Sequence, residues 1–88
     1  MAEHLAARRV EPLLRAIGRT AERLDVLERV AALSEDDTEC AWALAEAALL
    51  AESLGDADRS ARAWEKRLEK APADALALDG LVALFERQ

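Results

Sequence analysis

The chain contains no tyrosine, and its aromatic residues are Phe85, Trp42 and Trp64 alone. β-Branched residues are also few, so the sequence lacks the side chains that favour a pleated sheet. A single cysteine, Cys40, excludes an internal disulfide and a cysteine-based metal centre, and suits a reducing compartment. The one histidine, His4, lies beside the N-terminus, and Cys40 has no histidine near it in sequence, so no nucleophile–base pair is visible. No glycine-rich stretch could cradle a phosphate. No apolar run is long enough for a membrane span, and the first residues lack a signal-peptide core, so a cytoplasmic protein or a fragment of a larger one is expected. Basic residues are outnumbered, 12 against 18 acidic, giving a net charge of −6 and a pI near 4.7. That balance disfavours nucleic acid and anionic membranes as partners. Together these absences point away from an enzyme and imply no cofactor and no metal.

What remains is rich in alanine and leucine, with 52% apolar residues in 88. This suits one small domain of closely packed helices, burying a little over ~60% of the surface its unfolded chain exposes. The spacing of apolar residues predicts five helices. The first covers 1–17, with Leu5, Val10, Leu13, Leu14 and Ile17 at helical intervals. Pro12 should kink it or mark its first turn, and Gly18 should end it. The second covers 19–33, with Thr20 as N-cap and Leu24, Leu27 and Ala31, joined by Val30 and Leu33, as its buried stripe. After a polar break at 34–38, the third covers about 38–54. It is apolar on nearly every side, from Ala41, Trp42 and Leu44 to Leu49, Leu50 and Leu54, as expected of a central helix. Gly55 turns the chain into a fourth helix, about 57–71, with Ala61, Trp64 and Leu68 on one face. Pro72 stops it, and a fifth helix, about 74–87, carries Leu76, Leu78, Leu81, Val82, Leu84 and Phe85. Residues 34–54 contain six acids and no base, while the next helix carries Arg59, Arg62, Lys66, Arg67 and Lys70. This reads as solvated faces and helix-dipole compensation. The acids of 35–39 lack EF-hand spacing and read as a helix start.

Residues 18–37 lie over residues 55–74 without gaps. Gly18 then meets Gly55, Asp37 meets Asp74, Leu24 meets Ala61 and Leu27 meets Trp64. Val10-x-x-Leu13-Leu14 before Gly18 compares with Leu81-x-x-Leu84-Phe85, and the sequence stops at Gln88, one residue short of where the next glycine would stand, as at a fragment boundary or an unpaired terminal helix. The unit of helix, tight turn, helix and proline stop resembles the tetratricopeptide repeat, with its W-x-x-L-G-x-x-Y … A-x-x-x-F … P pattern. The corresponding residues are Leu44-x-x-Ala47-Ala48-x-x-Ala51, Ser60-x-x-x-Trp64 and Pro72, then Leu78-x-x-Leu81-Val82-x-x-Phe85. The likeness covers 41–74 best. The first helix of that unit departs by using alanine for larger residues, and the 18–54 region exceeds the standard period. The resemblance implies an all-α fold of antiparallel helix pairs, about five helices in two and a half repeats, stacked as a short right-handed α-solenoid. One domain would span 1–88, with pairs at 1–37 and 38–73 and a half-repeat at 74–88.

The same resemblance implies a concave face lined by the first helix of each pair. It would include Arg8 and Arg9, then Trp42, Ala45, Glu46 and Leu49, then Leu76, Asp79 and Ala83. Trp42 and Leu49 stand two turns apart on one helix face and would anchor a partner helix or peptide. The alternative is that both fill core space left by the alanines. Trp64 takes the family's core aromatic position, with an indole N–H that needs an acceptor. The Lys, Asn and Arg clamp with which some family members grip a peptide carboxylate is missing, since Ala45, Glu46 and Leu49 stand there. The expected role is a non-catalytic scaffold for another protein or peptide. The rival is a homo-oligomerisation module, possible as a homodimer, pairing through Leu81, Leu84 and Phe85 of the last helix.

Overall fold

In a computed structural model, the backbone of residues 2–87 and the side chains of residues 13–87 are described. Among these residues the fold is all-α, with no strand. Four helices follow one another: α1 (Ala2–Leu33), α2 (Asp37–Ser53), α3 (Ala57–Lys70) and α4 (Ala75–Arg87). Packing is chiefly between consecutive helices.

The five expected helices become four because Gly18 does not break the first. Gly55 is the one glycine with positive φ, at 78°. A glycine inside a helix costs only about 1 kcal/mol relative to alanine, and good helix formers flank Gly18 on both sides. Thr20 does not cap a new helix; its hydroxyl donates back to the Ala16 carbonyl at 2.9 Å, as hydroxyls within a continuing helix do. Arg8, Arg9 and the expected kink at Pro12 lie outside the residues whose side chains are described.

The other three helices begin and end where local chemistry dictates. Asp36 caps α2 by accepting from the Thr38 and Glu39 N–H groups, and Asp56 caps α3 by accepting from Arg59 N–H. α2 closes in a Schellman arrangement: Gly55 N–H donates to the Glu52 carbonyl and Asp56 N–H to that of Ala51. Pro72 ends α3 by forcing Ala71 out of the helical region, to φ −142° and ψ 87°.

Two hydrogen bonds fix α2 and α3 as an antiparallel pair. Ser60 Oγ donates to the Ala48 carbonyl at 2.9 Å, and Arg67 Nη1 donates to that of Ala41 at 3.1 Å. As one partner number rises the other falls. Ala43, Ala47, Ala48 and Ala51 are fully buried on α2, so small side chains let the neighbouring backbones come close. The core continues through Leu24 and Leu27 of α1, Trp64 of α3, and Ala77 and Leu84 of α4. Trp64 is buried as expected, but its indole N–H has no hydrogen-bond partner. Its ring lies against Gly80, where a Cβ would overlap it.

Polar contacts tie the ends together. Cys40 Sγ donates to the Ser34 carbonyl at 3.2 Å, joining the start of α2 to the end of α1. Arg59 of α3 reaches α1, donating through Nε to Glu28 at 3.1 Å and through Nη2 to Asp25 at 2.7 Å. Arg87 of α4 pairs with Glu52 of α2.

At about 1.5 Å per residue, α1 measures roughly 48 Å and α2 roughly 26 Å. The molecule extends 56 × 31 × 14 Å, with a radius of gyration of 15.9 Å. A globular chain of this length would have about 12 Å. The N-terminal half of α1 outruns its partners and forms an arm.

Candidate functional site

α2 is buried along Cys40, Ala43, Leu44, Ala47, Ala48 and Ala51, which lie against α1 and α3. The helical period then turns Glu39, Trp42, Glu46 and Leu49 to the opposite side. Trp42 and Leu49 are each 53% exposed, and Glu46 between them is half-buried. The two large apolar residues are therefore surface residues, and the core alternative for them falls. Alanines supply the close packing on the inner side and leave no space there for a tryptophan.

Beside this line, α1 contributes a second apolar row, with Val26 and Leu33 exposed and Val30 half-buried. Val26, Val30 and Leu33 form a shallow cleft with Arg29, Ser34 and Glu39. On α4, Asp79 and Leu76 are exposed and Ala83 is half-buried. Asp79 thus sits on the surface one helix pair away from the α2 line. Arg8 and Arg9 belong to the arm, outside the described side chains.

The proposed oligomer face is redistributed. Leu84 is 7% exposed and belongs to the core, because α4 turns it toward α3, and Leu81 is half-buried beside it. Phe85 is exposed as expected, and its surface companions are Val82 and Leu78 at helical spacing. Leu84 is therefore no surface contact.

A second cleft opens where the start of α2 meets the end of α3, lined by Thr38, Ala41, Leu44, Arg67, Lys70 and Asp74. Its polar wall is structural. Arg67 Nε donates to Asp74 Oδ2 at 2.6 Å, and Asp74 Oδ1 accepts from the Leu76 and Ala77 N–H groups that begin α4. Burial pushes the Asp74 carboxyl up, but the hydrogen bonds from Arg67, Ala77 and Leu76 outweigh it and hold the group below its ordinary value. Arg59 is held above its ordinary value, first by hydrogen bonding to Glu28 and then to Asp25. Both arginines are committed to neighbours within the fold. Among the described residues, no group of three or more His, Cys, Asp or Glu could hold a metal ion, and no helix is long and apolar enough to cross a membrane.

The sequence missed the arm, and it placed Leu33 in a buried stripe, whereas Leu33 is 75% exposed and lines the Val26–Leu33 cleft. Both follow from the unbroken α1, and the available signal was the strong helix propensity on either side of Gly18. A comparison with known protein families finds no match, and comparisons with curated proteins and with solved structures find none.

Proposed function

We propose that this chain is a non-catalytic protein–protein interaction module that receives a partner helix or peptide along the Trp42–Glu46–Leu49 line. The observation that carries this reading is the half exposure of Trp42 and Leu49 on a helix whose other side is filled. A rigid aromatic and an aliphatic side chain two turns apart, with a carboxylate between them, match the anchors that an amphipathic helix offers at i and i+7. Glu46 favours a partner with a basic residue at the centre of its binding face. The module is read as tetratricopeptide-like, with α2, Gly55, α3 and Pro72 as one repeat unit in a short right-handed solenoid. The antiparallel α2–α3 pair and its Schellman turn support this. The free thiol of Cys40 suits a cytoplasmic setting.

The test compares binding partners captured by the native chain and by Trp42→Ala, with helicity checked by circular dichroism. A partner lost on Trp42→Ala, in a variant that melts like the native chain, supports the reading; unchanged capture overturns it. The exposed Leu78, Val82 and Phe85 favour a second reading, self-assembly through the outer face of α4. Phe85→Glu should then lower the solution mass.

A further inference from the structure

Two open half-interfaces sit on the one long helix. The first is the stripe Leu13, Leu14 and Ile17 on the arm, all exposed. The second is the cleft of Val26, Val30 and Leu33 on the C-terminal half.

The internal repeat explains why they are open. With Gly18 laid over Gly55, Val26 takes the place of Ala63. Ala63 is 5% exposed and Val26 is 54% exposed. In the later unit the chain reverses at Gly55, so the helix before the glycine folds back on the helix after it. In the earlier unit Gly18 stays helical, and the segment before it continues the same helix. The cleft lacks the helix that precedes its glycine, and that helix is the arm.

An arm cannot fill the cleft of its own copy while α1 is continuous. Ile17 and Val26 are nine residues apart, and at about 100° per residue they point to opposite sides of the helix. Charge identifies the occupant. Residues 2–19 carry four arginines, Arg8, Arg9, Arg15 and Arg19, against Glu3 and Glu11, a net +2. The rest of the chain is left with −8 of the total −6. The cleft opens beside the acidic start of α2 at Glu39, with Arg29 its one basic lining residue.

We propose that the basic arm of one copy docks in the Val26–Leu33 cleft of a second copy, completing there the helix pair that each copy leaves open. The contact joins two different surfaces, so it is heterologous. It is separate from the Trp42–Leu49 line and from the outer face of α4.

The test is the solution mass of the full chain over a wide range of concentration, beside Ile17→Glu on the arm and Val26→Glu in the cleft. Both residues are exposed in one copy, so each variant should keep its helicity. The native chain is expected above its 9.6 kDa monomer mass, with association weakened by salt, and each variant at the monomer mass. Mixing the two variants in equal amounts should restore a one-to-one complex, since one supplies an intact arm and the other an intact cleft. A monomeric native chain, association that survives either substitution, or a mixture that stays monomeric would overturn the proposal. A monomeric native chain that associates only as Gly18→Ala would show the arm folding back on its own copy, and would also overturn it. Trp42→Ala should leave the mass unchanged, so failure here and failure of the partner-binding reading remain distinct.

Discussion

Gly18 and Gly80 are both helical glycines, yet the same substitution should act on them in opposite directions. At Gly80 an added methyl overlaps the buried Trp64 ring, which lies in a filled core. Gly80→Ala should therefore destabilise by about 1–3 kcal/mol, the usual cost of overpacking. At Gly18 a methyl meets nothing within 4 Å, and φ is not positive. Gly18→Ala should stabilise by roughly 0.5–1 kcal/mol, through the smaller backbone entropy lost on folding. Urea titrations of the two variants against the native chain measure both signs. The burial of Trp64 was legible from its place beside Ala61 and Leu68 on the apolar face of its helix, but its contact with Gly80 was not. It depends on how far apart α3 and α4 settle, which no local pattern encodes. Trp42 was ambiguous for the converse reason. A helix apolar all round does not reveal which side its neighbours cover, and the alanine row decided it only once the helices were in contact.

At the scale of elements, capping was the most legible feature. Gly55 and Pro72 act as their chemistry requires, and α2, α3 and α4 begin and end within about a residue of their expected limits. The α1 break was not legible, because a glycine marks a turn only where tertiary contacts reward the reversal, and here none do. The aspartate register also slips. Asp37 aligns with Asp74, yet the residue that caps α2 is Asp36. Asp74 joins two elements, since it caps α4 and holds Arg67 of α3. Its folded value lies below the ordinary carboxylate value, so the charged form is favoured by folding. The associated stability is present at neutral pH. It begins to fall as pH drops to about 4, the unfolded value. It is gone once pH passes below the depressed folded value. Asp74→Asn keeps a capping oxygen and removes the titration. The drop in urea midpoint from pH 7 to pH 3 should therefore be smaller in Asp74→Asn than in the native chain. An equal drop would place the acid sensitivity in other carboxylates.

Across the whole molecule, each helix leans mainly on its neighbours in the chain, so stability should be graded along the row. α2 is packed by α1 on one side and α3 on the other, and α3 lies between α2 and α4. α4 has α3 as its main support, with a single ion pair from Arg87 to Glu52, and it leaves Leu78, Val82 and Phe85 uncovered. In such one-dimensional stacks the terminal element opens at a lower free energy than the interior ones. Native-state hydrogen exchange should then show amides of α4 exchanging faster than those of α2 and α3. Leu84 is the side chain that decides how much faster. It is 7% exposed and connects α4 to the core, so Leu84→Ala should cost about 2–5 kcal/mol. Most of that loss should appear first as faster exchange confined to α4. If α4 and α2 instead exchanged at one common rate in the native chain, and Leu84→Ala raised both equally, the four helices would open as a single unit. The neighbour-by-neighbour account of this fold would then fail.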